Sequence, residues 1–277
     1  MIAARNDSRV AAGMRAEVAG CPRRKEAGLS SPMRNWFEGM TTGATGLIRG
    51  LLLGAGALIA LPCTAAAPDL VFQLASRSVV MIQAVDAAGK IVGRGSGVSM
   101  NKDLLVTNCH VVARGKTLFV GHAKKRLPAR LVAYDAGGDL CALEAQELGA
   151  APARIGDAKG LRVGHRVYAI GTPEGFELTL SEGLISGLRE SDVGRYLQIS
   201  APISEGSSGG GLFDDNGRLI GIVSFSFSAG QNLNFAAPVE RAVELAKKAS
   251  TLARRASAEP IELPASMTRQ WRHPLLK

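Results

Sequence analysis

Aromatic side chains are scarce, at 5% of 277 residues, and the densest basic run is only KKR at residues 124–126. A nucleic-acid surface wants more cations than that, interleaved with stacking rings, so the run reads as a solvated loop and no nucleic-acid partner is expected. The chain contains no CxxC, no HExxH and no acidic cluster with metal-ligand spacing, so neither a metal nor any other cofactor is implied. Charged residues make up only 21% and hydrophobic ones 46%, which excludes a disordered chain and permits a large core. The net charge of +9 is not concentrated anywhere: residues 1–67 carry 8 Lys+Arg against 4 Asp+Glu, and residues 68–277 carry 25 against 20. Glycine is abundant, at 33 residues, and suits a turn-rich β protein better than a helical bundle.

One apolar stretch is long. Residues 47–67 read LIRGLLLGAGALIALPCTAAA, with Arg49 before the apolar run and small residues after Pro62. Basic flank, short apolar core and a final Ala65-Ala66-Ala67 make the pattern of a secretory signal. Left uncut, the same stretch approaches the length of a membrane tether. Residues 1–32 show no period, and Met33 or Met40 is a plausible alternative start. The expectation is an N-terminal extension with a signal or anchor at 1–67, a folded domain at 68–256 and a tail at 257–277. The product would then be exported, to the periplasm or beyond.

Of four cysteines, Cys21 and Cys63 precede the folded part. Cys109 and Cys141 lie in apolar strands. An exported protein can form disulfides, yet buried cysteine commonly packs as a small hydrophobe. Both readings stand, with the thiol form favoured.

Within the folded part, residues 69–78 have the apolar spacing of a short helix. About a dozen short apolar runs follow, with turn signals every 8–15 residues. They include SVVMIQAV from Ser78, LLVTNCHVV from Leu104, LCALEA from Leu140 and LIGIVSFSFS from Leu219. That spacing means antiparallel barrels or sandwiches, not a parallel α/β sheet. Residues 238–257 close the folded part as a helix, with Pro238 at its start and Val239, Ala242, Val243, Ala246, Ala249 and Ala253 on one side.

The stretch ISEGSSGGGLF at residues 203–213 could be a linker. It lies between two apolar strands, however, and a linker has no need of them. Glycines around Ser208 permit positive φ and close backbone approach, which can aim the amides of Gly206 and Ser208 at one point. Such a pair stabilises the oxyanion formed when a serine attacks a carbonyl. A hydroxyl needs a base, and a histidine oriented by a carboxylate supplies one. His110 breaks off an apolar strand, and Asp139 stands directly before another. Each alone reads as structural. Together with Ser208 they fall in the order His, Asp, Ser of one established triad. His122 and His165 read as surface residues, and Asp135 as a turn residue.

The segments GSGVSMNKDLLVTNCHVV, GGDLCAL, AIGTPEGFELTLSEGLISGLRE, EGSSGGGLFDDNGRLIGIVS and NFAAP resemble, in order, the trypsin-like serine proteases. They are most similar to the protease domain of the Deg/HtrA branch, across residues 78–253. The resemblance implies two six-stranded antiparallel β-barrels with the active site between them. It makes His110 the general base, Asp139 the orienting acid and Ser208 the nucleophile, with Gly206 and Ser208 amides as the oxyanion hole. Ile203, Ser204, Ser224 and Phe225 would contact an extended protein or peptide substrate, and homo-oligomers are common in the family. No acid falls at the expected pocket floor, which suggests cleavage after small or medium apolar residues. Residues 172–180 would form a mobile loop.

Departures accompany the match. Ser207 stands where this branch usually has Asn and the wider group Asp. Gly211 stands where Pro is usual, which suggests a looser loop, and Glu205 adds charge beside the site. Only about 24 residues follow Ala253, too few for the family's PDZ domain. These departures motivate a rival reading: a protease fold that holds extended chains without cutting them.

Overall fold

The computed structural model describes residues 67–122, 125–172, 178–226, 232–255 and 261–264. Helix α1 (Pro68–Ala75) opens the described chain, with Pro68 placed where its missing N–H costs nothing, and a 3-10 turn (Ser76–Ser78) leads out of it. Six strands then close one barrel: β1 (Val79–Val85), β2 (Ile91–Ser99), β3 (Leu104–Asn108), β4 (Thr117–His122), β5 (Lys125–Asp135) and β6 (Leu140–Glu144). Their order around the barrel is β1-β2-β3-β6-β5-β4. Six more close a second: β7 (Arg166–Gly171), β8 (Thr179–Ser191), β9 (Gly194–Ile199), β10 (Gly211–Phe213), β11 (Leu219–Ser226) and β12 (Asn234–Pro238). Here the order is β10-β11-β12-β9-β8-β7. Helix α3 (Val239–Arg255) follows directly. The expected pair of six-stranded antiparallel barrels with a C-terminal helix is what the chain forms. Closure removes the exposed edges that an open sheet would offer to other chains.

Burial explains the apolar runs. Leu105 of β3 and Cys141 and Leu143 of β6 point into the first barrel, with Val80, Ile82 and Val120. Leu104 and Val106, and Leu140 and Ala142, point the other way, into a larger core that includes Ile199, Leu212 and Ile222 of the second barrel. Val239, Ala242, Leu245 and Ala249 of α3 enter the same core. Strands β3 and β6 are therefore buried on both faces, which is why LLV and LCAL lack polar alternation. Leu105 and Leu143 are wholly buried, each worth about 1.5–3 kcal/mol relative to exposure. Ile261 and Leu263 also pack against the first barrel's core.

Two expectations are corrected. Residues 104–112 do not continue as one strand: β3 stops at Asn108, and Cys109–Val112 make a single helical turn, α2, closed by Ala113 N–H to the Cys109 carbonyl. The β3–β6 ladder ends at Asn108 opposite Leu140. Beyond it β6 has no residues left to pair, so the chain satisfies its backbone groups locally. The cysteines are not free thiols. Cys109 and Cys141 form a disulfide with Cα atoms 4.9 Å apart, joining the end of β3 to β6 across a separation of 32 residues.

Replacing both Cys109 and Cys141 with Ala should lower unfolding stability by about 4 kcal/mol, the entropy of a loop that size in the denatured chain. Denaturant titration of the oxidised protein and the double variant checks this. Equal midpoints would contradict it.

Candidate active site

His110 is the second residue of α2, and Asp139 ends the turn between β5 and β6. The ladder that places Asn108 opposite Leu140 brings the two together. His110 Nδ1 lies 2.5 Å from Asp139 Oδ2, and the His110 backbone N–H donates to Asp139 Oδ1 at 3.0 Å. The Asp139 side chain is 1% exposed and the His110 side chain 31%. A carboxylate so buried needs specific donors, and both of its oxygens have one. Asp139 also holds φ at +53°, a left-handed conformation that Asp tolerates better than most residues. Its carbonyl accepts from the Cys109 N–H and from Asn108 Nδ2, both at 3.0 Å. With Nδ1 taken by the carboxylate, Nε2 lies on the opposite edge of the imidazole.

Ser208 lies in the turn before β10. Its Oγ donates to the Ser224 carbonyl at 3.0 Å, and no hydrogen bond joins it to the His110 ring. Ser224 is wholly buried, and its Oγ accepts from Asn108 Nδ2 at 3.3 Å. Asn108 therefore bridges Asp139 to Ser224, and Ser224 carries Ser208. The structure puts His110 and Asp139 in direct contact and connects Ser208 to them through two intermediaries.

The turn preceding Ser208 has a defined form. Ser207 N–H donates to the Ser204 carbonyl at 2.9 Å, and Gly206 holds φ at +93°. Positive φ at the third position alone makes this a type II turn, which demands glycine there. Ser207 is 8% exposed, and its Oγ accepts from Ser204 N–H at 3.3 Å. A neutral hydroxyl thus braces the turn where the wider group has an acid. From the other barrel, Ser96 of β2 holds the same turn. Its Oγ donates to the Gly206 carbonyl at 2.7 Å and accepts from Thr172 N–H at 2.8 Å, while its N–H donates to the Ser208 carbonyl at 2.8 Å. Ser96, Asn108 and Thr172 were not singled out in the sequence. The only local signal is polar residues inside otherwise apolar or glycine-rich strand ends.

The residues expected at the substrate side are split. Ile203 is partly buried against the core, and Ser204 belongs to the type II turn. Ser224 turns its carbonyl to Ser208. The Phe225 ring stacks on Phe235 with centroids 4.8 Å apart and meets Tyr196 edge-on at 6.2 Å. Asn234 is almost fully buried and donates to the Ala201 carbonyl at 2.7 Å. The expected mobile loop falls mostly on residues 173–177, which lie outside the described residues. Among the described residues no group of His, Cys, Asp and Glu is placed to hold a metal ion.

The profile of the trypsin-like peptidase domain matches residues 95–222, a span that contains His110, Asp139 and Ser208. The solved structure of Deg5 superposes with a TM-score of 0.56 at 32% identity, covering 64% of this chain and 91% of that one. The chain belongs to the Deg/HtrA branch of the trypsin-like peptidases. Protease Do-like 5 of Arabidopsis thaliana is 33% identical over 214 residues, covering 62% of this chain and 66% of that protein. A probable periplasmic DegP-like serine endoprotease of Hahella chejuensis is 34% identical over 160 residues, covering 54% and 34%. The chain thus spans less than two thirds of either curated relative.

Against the Deg/HtrA pattern, Gly211 does not loosen the loop. It lies in β10, paired with Ile222 and Ile170. A Cβ there would sit 2.3 Å from the ring of Phe213, which is wholly buried. The aromatic ring occupies the space a side chain would use. Gly211→Ala should therefore destabilise the protein by about 1–3 kcal/mol, the usual cost of overpacking a core. Thermal unfolding measures it, and an unchanged midpoint would contradict the steric account.

Proposed function

We propose that this chain is an exported serine endopeptidase that hydrolyses peptide bonds of protein substrates through an acyl-enzyme. The observation that carries the reading is the buried Asp139 carboxylate, committed to the His110 ring and backbone. Family membership supports the reaction type. In this proposal His110 Nε2 takes the Ser208 proton, and Asp139 holds the tautomer and stabilises the imidazolium. Ser208 Oγ first rotates away from the Ser224 carbonyl towards Nε2, a side-chain rotamer change. It then attacks the scissile carbonyl, and the Gly206 and Ser208 amides receive the oxyanion. His110 protonates the leaving amine, the amine departs, and a water activated by His110 hydrolyses the ester.

An extended substrate would lie along the end of β11. The ladder of β11 with β10 runs from Ile222 to Leu219, and that with β12 continues to Ser226 opposite Asn234. Main-chain bonds to this end of the strand would give affinity without sequence preference. The expected pocket floor carries the Asn234 amide and no acid, which supports cleavage after small or medium apolar residues. Export rests on the signal-like residues 47–67, of which 47–66 lie outside the described residues, and on the periplasmic description of the Hahella relative. Among the described residues no helix is long and apolar enough to cross a membrane. N-terminal sequencing of the exported form separates a cleaved signal from a tether. Homo-oligomers remain an implication of the family.

One observation favours the rival. The Ser208 hydroxyl is bonded to Ser224 and not to His110, as in a chain that holds substrates without cutting them. The two readings separate cleanly. The wild type should label with a fluorophosphonate and hydrolyse an unfolded protein, and Ser208→Ala should lose both, with turnover falling by about 10⁴-fold or more. Activity surviving Ser208→Ala would refute the nucleophile, and an unlabelled but peptide-binding wild type would favour the holdase. A peptide-library digest tests the pocket: preferred cleavage after Lys or Arg would contradict it.

A further inference from the structure

The turn that presents Asp139 is a weak piece of chain held by strong neighbours. It runs from Asp135 through Ala136, Gly137 and Gly138, two glycines with little conformational preference. It ends in the left-handed Asp139, a conformation that persists only where the surroundings enforce it. Besides His110, Cys109 and Asn108, those surroundings include α3 and the other barrel. Arg241, in the first turn of α3, forks onto Asp135: Nε donates to Oδ2 at 2.9 Å and Nη2 to Oδ1 at 3.0 Å. Its Nη1 donates to the Val193 carbonyl at 2.6 Å. The guanidinium lies so close to the turn that a Cβ on Gly138 would be 2.8 Å from Arg241 Cζ. Asp135 Oδ1 also accepts from Gly138 N–H at 3.2 Å, which carries the grip into the turn. A second hold comes from β9, where Tyr196 OH donates to the Gly137 carbonyl at 2.9 Å.

We propose that Arg241 and Tyr196 are positioning residues for the catalytic pair: together they fix the 135–139 turn from the second barrel and so set the contact between Asp139 and His110. The inference rests on the triad reading above. Asp139 bonds the His110 ring of α2, and the turn that carries it is held by Asp135 from within and by Tyr196 and Arg241 from across the barrel interface. Tyr196 is suited to its part. Burial pushes its phenol up to about 12, with Asp139 and Asp135 adding to the rise and Arg241 opposing it. It therefore stays a neutral donor at any physiological pH. Arg241 is suited to its own, since a planar fork holds a carboxylate in orientation as a single ammonium cannot. A consequence follows for assembly. The acid of the first barrel reaches its working geometry only when the second barrel and α3 are docked against it.

The test reads the His110 ring directly. Its titration is followed by NMR in the Ser208→Ala protein, which cannot digest itself, and kcat and KM are measured in the Ser208 enzyme. Arg241→Gln and Tyr196→Phe should let Asp139 drift from the imidazole. An imidazolium that loses its carboxylate is disfavoured, so in Tyr196→Phe, which leaves every charge in place, the titration should move down. kcat should fall by about tenfold or more, with KM within about twofold, because the interaction acts on the chemical step. Arg241→Lys should recover part of both losses. If Arg241→Gln does not fold, Tyr196→Phe, which removes one hydroxyl, decides alone. A wild-type His110 titration and kcat in the folded variants would overturn the proposal. Should the wild type prove unable to cleave or label while the titration still moves in the variants, the protease reading falls and the positioning role stands.

Discussion

A carboxylate with almost no solvent access is the constraint around which the first barrel is arranged. Burial leaves the Asp139 oxygens in need of donors, and His110 supplies both, one from its ring and one from its backbone. The chain turns immediately after Asn108, and the helical turn points the N–H and the imidazole of His110 at the same acid. The arrangement also includes the left-handed bend at Asp139. The disulfide reinforces this local geometry, since Cys109 precedes His110 and Cys141 follows Asp139 by two residues. Covalent and polar links thus converge on one short register of β3 and β6.

The crevice between the barrels is assembled by small polar side chains. Ser96 reaches from β2 to the carbonyl of Gly206 and to Thr172, and Asn108 reaches from β3 to Ser224. Serine, threonine and asparagine suit this task, since each offers donors and acceptors without the bulk that would hold the barrels apart. Ser96 and Thr172 are both buried, so the bonds between them are made away from competing water. The departures from the Deg/HtrA pattern fit the same logic. Ser207 braces the type II turn with a hydroxyl in place of an amide or an acid, and Gly211 leaves room for the Phe213 ring.

The C-terminal helix has two roles in this architecture. Its apolar side closes the core shared by both barrels, and Arg241 at its start clasps the turn that carries the acid. A residue that follows the nucleophile therefore supports one that precedes it, 106 positions earlier in the chain.

The elements were legible in the sequence wherever the signal was local. Short apolar runs separated by turn residues marked the strands of both barrels, and a repeating apolar side marked α3. His110, Asp139 and Ser208 could be named because each lies beside or between apolar runs, in a chemical order with few other meanings. The strand expected through residues 104–112 failed at Asn108, because the length of a strand depends on whether its partner continues. Asp135 was read as a turn residue, since nothing nearby reveals an arginine 106 positions on. Ser96, Thr172 and Asn108 were passed over for the same reason. By itself, then, the sequence determined the element types, the fold class they compose and the chemistry of the candidate site, because side-chain period and residue type are properties of short segments. Only the tertiary structure decided that the two cysteines join, that Arg241 grips Asp135 and that Ser208 bonds to Ser224. Those pairings depend on closing two barrels and docking them, and distance in space is not written in distance along the chain.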